Sequence, residues 1–171
     1  MTLSIHAFAI DTFAPLLETL AILLDRGAEK VDPAVLLGAR LAPDMYPLGR
    51  QVQLVCYQAV DAAARLGGKT PPPLETPDET LEELKARIAG TIEGLRQIPA
   101  DGLDGAEDRL IVRPLVDDMR IEMSGLQYLR DWSFPNFYFH LVTAYDILRH
   151  HGVELGKRDY MRHIGPAIRP A

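Results

Sequence analysis

Four stretches of the chain repeat apolar residues at spacings of three and four, which is the pattern of an amphipathic helix. The first stretch runs from Ser4 to Ala28, and Gly27 is its predicted stop. The second stretch opens at Pro43-Asp44, with Asp44 as the predicted N-cap, and ends at Gly67-Gly68. These patterns predict two long helices in the first half of the chain.

The second half holds the other two helical patterns. Thr80 with Glu83 offers a capping box at the start of the third helix, as does Thr76 with Glu79, and the helix ends before Pro99. The fourth runs from Ser124 to His150 or His151, with Gly152 as its predicted C-cap. Pro135 lies inside it and predicts a kink, because proline removes a backbone donor.

The connections between these helices differ in character. Residues 69–77 contain four prolines and predict an extended segment. Asp32-Pro33 predicts the start of a short helix or turn. Residues 109–113 and 119–123 are strand-like stretches on either side of a turn and predict a small β-hairpin.

These elements together predict an all-α fold: a four-helix bundle with a long crossover and a small β-hairpin before the last helix. The predicted organisation is one domain over residues 1–171, with a core over 3–152 and a basic tail over 153–171. A chain of this length can bury such a core unaided.

Composition narrows the classes of partner. The chain has 171 residues, 18 basic against 24 acidic side chains, and a net charge of −6. An acidic chain is a poor nucleic-acid binder and a poor ligand for an anionic membrane surface, so neither partner is predicted. No apolar run reaches the length that a bilayer needs, because Asp25 and Arg26 interrupt the longest one. Cys56 is the single cysteine, which fits a reducing compartment and favours a cytoplasmic location.

The candidate chemistry lies in an aromatic stretch over residues 135–150, and no strong enzymatic motif accompanies it. Asn136 and His140 are four residues apart and share one face of the predicted helix. His140 could be a metal ligand with an amide beside it. The residue pattern favours the alternative, a buried histidine that is hydrogen-bonded to Asn136 or to the second helix. One imidazole and one amide make a poor ligand set for zinc.

Several segments resemble a known family when they are taken together. They are LAPDMYPL at 41–48 followed by Gln51-Val52, PNFYFH at 135–140, AYDILRHHGV at 144–153, and Gly156-Lys157. The combination resembles a bacterial domain-of-unknown-function family that is related to the DinB/YfiT-like metalloenzymes. The resemblance implies a four-helix bundle, commonly dimeric, with a metal site between the second and fourth helices.

The resemblance also implies where such a site would lie. Metal-binding members of the wider superfamily use one His from the second helix and an H-x-x-x-H pair from the fourth. Asn136 and His140 match that pair with the first His replaced, and Gln51 or Gln53 falls near the second-helix position. We therefore expect less than one tightly bound zinc or nickel ion per chain, with His140 as its ligand. Asp44 could add a carboxylate at the same end of the bundle.

Three functions follow from these observations. The first is a bundle with a degenerate metal site that binds an unidentified small molecule in a polar pocket. The candidate pocket residues are Asp44, Tyr46, Gln51, Asn136, Tyr138 and His140. The second is a metal-dependent enzyme, a thiol-dependent transferase or hydrolase, that uses His140. The third is a non-enzymatic dimeric interaction protein. Catalytic residues are not assigned.

The aromatic residues of the fourth helix bear on assembly. Phe137, Tyr138 and Phe139 are consecutive, so their side chains point in three directions about 100° apart on a helix. They cannot all face one core, and large exposed apolar patches are uncommon on monomers. We therefore expect a homodimer.

Overall fold

Four long helices form the bundle that the sequence predicts, over residues 4–169, which the computed structural model describes. The helices in chain order are α1 (Ile5–Lys30), α2 (Pro33–Gly38), α3 (Leu48–Leu66), α4 (Leu81–Arg96), α5 (Gly125–Gln127), α6 (Phe134–His150) and α7 (Lys157–Tyr160). A 3-10 turn over Arg162–Ala167 follows. The predicted limits at residues 1, 3 and 171 lie outside the described residues.

Helix α3 is central to the packing. It packs most extensively against α6 and also packs along α4, while α1 packs chiefly against α4. The buried side chains form one continuous apolar core, in which the rings of Phe13 and Phe137 lie 4.9 Å apart between centroids. The two seams of α3, one with α6 and one with α4, position the features discussed below.

Helix α1 is long and apolar enough to cross a membrane by length and composition alone. The expectation that no segment reaches this length was wrong, because Asp25 and Arg26 lie near the end of a 26-residue helix rather than in its middle. Its leucine stripe, which includes Leu17, Leu20 and Leu24, is buried in the bundle. A core helix satisfies the same test, and this burial accounts for the composition.

Two predicted helix ends differ in the structure. Helix α1 does not stop at Gly27 but continues to Lys30. A Cβ atom at Gly27 would lie 2.8 Å from Leu148 Cδ2 and 3.1 Å from Leu36 Cδ1, so this glycine allows close packing rather than a helix stop. Asp44 is exposed and does not cap α3. The α3 helix begins after Pro47, where the Ala39 carbonyl accepts a 2.8 Å hydrogen bond from the Leu48 amide.

Other predicted ends are confirmed. Asp32 caps α2 by accepting from the Ala34 amide at 2.8 Å. Thr80 and Glu83 form the capping box of α4. Gly152 ends α6 at a φ of +83°, which glycine adopts without strain.

The β-hairpin is also confirmed. Strands β1 (Leu110–Pro114) and β2 (Arg120–Ser124) are antiparallel, with Leu110 opposite Ser124 and Pro114 opposite Arg120. Asp117 and Asp118 take positive φ angles in the turn between them. Ser124 then caps α5.

The last predicted helix contains an interruption. A π-helical segment, Tyr128–Ser133, separates α5 from α6. It ends just before Pro135, which lacks the amide that a continuous α-helical pattern would use there. The Pro135 region therefore changes the backbone hydrogen-bonding pattern.

A buried carboxylate ties the hairpin to the bundle. Asp61 of α3 is fully buried, and one of its oxygens accepts hydrogen bonds from Arg65 Nε at 3.1 Å and from Arg113 Nη1 at 2.8 Å. The buried Tyr128 hydroxyl donates to the other oxygen. Arg113 also stacks on Trp132, 5.1 Å from the ring centroid. The α3 helix, strand β1 and the π-helical segment therefore meet at one charged side chain.

Candidate functional site

Gln51 and His140 face each other across the seam between α3 and α6. Gln51 is 1% exposed, near the start of α3, and His140 is partly buried near the middle of α6. His140 Nδ1 and Gln51 Oε1 lie 2.8 Å apart, which is hydrogen-bond distance. The sequence left two hydrogen-bond partners open for a buried His140: Asn136 or the second long helix. The partner is a residue of the second long helix, α3.

The hydrogen bonds of Gln51 fix which histidine nitrogen carries the proton. Gln51 Nε2 donates to the Tyr46 carbonyl at 3.2 Å, and because a carbonyl can only accept, the amide oxygen is the atom that faces His140. The Gln51 amide oxygen can only accept a hydrogen bond, so His140 Nδ1 must be the donor. In the neutral ring, Nε2 is then the unprotonated nitrogen. His140 thus presents a lone pair on Nε2.

Burial keeps this imidazole neutral. Desolvation lowers the pKa of His140 from its ordinary value near 6.5 to about 4. At neutral pH the ring therefore offers a hydrogen-bond acceptor or a metal ligand rather than a positive charge. A general base works best with a pKa near the operating pH, so this histidine is a weak candidate for proton transfer.

Asn136 and Tyr138 have partners other than His140. Asn136 Nδ2 donates to the Trp132 carbonyl, one turn earlier on the same helical segment, at 2.7 Å. Tyr138 is partly exposed, and its ring packs on Phe134 and Phe137. Burial raises the pKa of Tyr138.

The remaining candidates lie at the entry to α3. Asp44 is exposed, and Tyr46 contributes its backbone carbonyl to the site while its side chain is 57% exposed. Gln53, the alternative second-helix position, bonds instead to the carbonyls of Glu75 and Thr76. The structure therefore brings Gln51, His140 and the backbone of Tyr46 together and selects Gln51 over Gln53.

The donor set does not fit a resident transition metal. The described residues contain no group of three or more His, Cys, Asp or Glu side chains that could hold a metal ion. The Gln51 amide oxygen is already an acceptor for His140, which leaves one imidazole nitrogen and the Asn136 amide oxygen. Neutral amides are weak ligands for zinc or nickel. Cys56 adds nothing, because burial raises the pKa of its thiol to about 12.

A separate cavity of about 500 Å³ lies on the other seam of α3, between α3 and α4. None of the six candidate residues lines it. The sequence pattern gave no signal for this cavity beyond the glycines of α4.

The comparisons with known proteins agree with the geometry of the bundle. A crystal structure of a DinB family member protein from Shewanella denitrificans is similar with a TM-score of 0.83 and 35% sequence identity, over 91% of this chain and 90% of that chain. No curated protein matches the chain. The family model described as "Domain of unknown function (DUF1993)" matches residues 5–161. The resemblance noted in the sequence is thus confirmed, and the chain belongs to the DUF1993 family, with the fold of a DinB family member.

Proposed function

We propose that the chain binds a small molecule through the neutral imidazole of His140, at a site that no longer holds a metal. The hydrogen bond from His140 Nδ1 to Gln51 Oε1 supports this proposal most directly, because it leaves Nε2 as an oriented acceptor. A ligand that donates an O–H or N–H to this nitrogen is the complementary partner.

The protonation state of His140 supports a role in ligand binding. A pKa of about 4 favours a binding role over acid–base catalysis at neutral pH. In metal sites, a histidine often donates its second ring N–H to a carbonyl, which orients the coordinating nitrogen. The Gln51 amide supplies the same orientation here, so the geometry of a metal-site histidine is retained without the other ligands.

Metal titration separates this proposal from the metal-dependent enzyme. Wild type and a Gln51→His/Asn136→His variant are titrated with Zn²⁺ and Ni²⁺ by calorimetry, and tag-free protein is analysed for metal. We expect less than one tightly bound ion per wild-type chain and one per variant chain, because the variant restores the three histidines that the family resemblance implies for a metal site. Stoichiometric metal in wild type that is lost in His140→Ala would overturn the proposal and establish the alternative.

A fragment screen tests the ligand chemistry. Phenols and primary amides are compared by thermal shift with their O-methyl and N,N-dimethyl analogues, which cannot donate. We expect donors to raise the melting temperature of wild type and to lose that effect in His140→Phe, which lacks the acceptor nitrogen. The proposal is refuted if no donor stabilises wild type, or if donors stabilise both proteins equally.

We also propose a homodimer that covers the outer face of α6. Phe139 is 58% exposed, Val142 lies beside it at the next turn, and the Phe139 ring packs edge-on against His140 at 5.3 Å. Phe137 is buried while Phe139 is exposed, as expected for positions two residues, or about 200°, apart on a helix. Sedimentation equilibrium is expected to give about twice the 19.0 kDa chain mass, with weaker association in Phe139→Ser. A mass near that of one chain at micromolar concentration contradicts the dimer.

A further inference from the structure

The cavity between α3 and α4 is a second place where the chain could hold a ligand. Its walls include Val60 and Ala63 of α3, Leu95 of α4, and Pro99 and Leu103 of the loop that follows α4. The volume of about 500 Å³ lies within the range of about 300–1,000 Å³ that small-molecule sites occupy. The lining is largely apolar, with Thr91 and Gln97 among its few polar groups.

Two exposed glycines form part of the wall of this cavity. Gly90 and Gly94 lie four residues apart inside α4, so they share one face of the helix, and both line the cavity. A Cβ atom at either position would meet nothing within 4 Å. Close packing within the chain therefore does not require them, although glycine is less favourable than alanine inside a helix. The two glycines therefore leave open space over this part of the cavity.

The open space continues along the same seam. A neighbouring cavity of about 270 Å³ beneath the proline-rich connection shares Val60, Gly90 and Thr91 with the first. Pro72 and Pro73 form part of its wall. The two cavities share one wall and form a trough along α3 and α4. The first cavity is its apolar part, and the second adds polar side chains that include Gln53 and Glu75.

A lysine supplies charge at the end of α3. Gly68 takes a φ of +70°, and the amides of Gly68 and Lys69 bond to the carbonyls of Arg65 and Ala64, at 3.0 and 2.8 Å. This pair of bonds is the Schellman ending of a helix, which turns the chain so that Lys69 lines the cavity. Lys69 has no carboxylate within 4 Å among the ion pairs of residues 4–169.

A second cation lies next to Lys69. The Arg109 guanidinium packs over Gly68, where Nη1 would lie only 2.0 Å from an added Cβ. Lys69 lines the apolar cavity, and Arg109 lies against the residue before it. On a chain with a net charge of −6, this local positive charge matches an anionic head group attached to an apolar body.

We propose that this trough binds a small organic anion with an apolar chain, of the medium-chain carboxylate class. The apolar chain lies along the surface that Gly90 and Gly94 leave open, and the carboxylate faces Lys69. The site is independent of the His140 site, because none of the residues that position His140 lines it.

Calorimetric titration with three probes tests this assignment. Octanoate, 1-octanol and octylammonium share one alkyl chain and differ in head-group charge. We expect wild type to bind octanoate most tightly and octylammonium least. Lys69→Gln should weaken octanoate binding about two- to fivefold, as for a solvent-exposed ion pair, and leave octanol binding unchanged.

Cavity-filling variants test the location. Gly94→Leu places a side chain into the open space and should weaken octanoate binding at least about tenfold, since it removes the volume that the chain would occupy. Gly165→Leu is the matched control, because an added Cβ there also meets nothing within 4 Å but lies outside the cavity. His140→Phe should bind octanoate as wild type does, which keeps this result separate from that of the His140 site.

Four results would overturn the proposal. They are no octanoate binding to wild type, equal binding to folded Gly94→Leu, binding of octylammonium as tight as that of octanoate, and a change from dimer to monomer in Gly94→Leu. The last would identify the α4 glycines as a contact between copies of the chain. Circular dichroism and the melting temperature verify that each variant is folded.

Discussion

Acidification should destabilise the protein through His140. The pKa of His140 is lowered by burial from near 6.5 to about 4, so the unfolded chain binds a proton at this residue more strongly than the folded chain does. The stability that comes from the neutral imidazole is therefore fully present above about pH 6.5, where both states are deprotonated. It is lost progressively as the pH falls from there toward about 4.

The magnitude follows from the difference between the two pKa values. One pKa unit corresponds to about 1.4 kcal/mol, so the full difference would amount to about 3 kcal/mol. His140 is only partly buried, and solvent screens part of this effect. We therefore expect a loss of about 1–2 kcal/mol from this residue between neutral pH and about pH 4.

Two measurements check this expectation. The His140 ring signals, assigned by their absence in His140→Gln, are followed by NMR against pH, and the ring nitrogen shifts report whether Nδ1 carries the proton. Urea unfolding at several pH values compares wild type with His140→Gln, which does not titrate and can still donate an amide N–H to Gln51. The difference between the two proteins isolates His140 from the other acidic and basic groups. A pKa at or above 6.5, or protonation on Nε2 in the neutral ring, would refute the proposed state of the site.

Four further substitutions and one double variant test the packing of the bundle. Asp61→Asn should lower the free energy of unfolding by about 3–5 kcal/mol, because it leaves two partly buried guanidinium groups without their counter-charge. A loss below about 1 kcal/mol, measured by urea unfolding, would contradict this. Tyr128→Phe should cost about 1–3 kcal/mol. The Asp61→Asn/Tyr128→Phe double variant should cost less than the two losses combined, since the two side chains belong to one hydrogen-bonded network. Gly90→Ala should stabilise the protein by about 0.5–1 kcal/mol, because alanine is more favourable than glycine inside a helix. Gly27→Ala should destabilise it, because the added methyl group would lie 2.8 Å from Leu148. Equal shifts in the midpoint of urea unfolding would show that the two sites do not differ in free space.

Apolar periodicity was sufficient to predict the bundle because each long helix buries one broad stripe in a common core. Local chemistry predicted the ends where the capping partner is close in sequence, as at Thr80 and Gly152. It failed where the decisive contact is distant. Gly27 is typical of a helix stop, but a glycine is needed there because Leu148 of α6 lies so close. Asp44 does not cap α3, because the Ala39 carbonyl accepts the hydrogen bond from the Leu48 amide at the start of that helix.

The candidate site was predictable only in part for the same reason. Spacing placed Asn136 and His140 on one helical face but could not say which residue of α3 faces them. Gln51 and Gln53 are two positions apart and point about 200° away from each other around α3, so the choice depends on the rotation of that helix in the bundle. Asp61 was missed, since two of its partners, Arg113 and Tyr128, lie 52 and 67 residues away and no local pattern connects them.

The Gln51–His140 pair also provides a link between α3 and α6 that needs no metal, as the proposed function requires. Where a metal links two helices, its binding free energy becomes part of the folding free energy, and removing it unfolds the site. Here α3 and α6 form the most extensive helix–helix contact, and Gln51 uses both its amide groups, one on His140 and one on the Tyr46 carbonyl. A buried polar residue with both groups satisfied costs little, whereas an unpaired one would cost about 1–3 kcal/mol. The hydrogen-bonded amide therefore links the two helices without an ion, and in the proposed function the Nε2 atom of the imidazole accepts from the ligand.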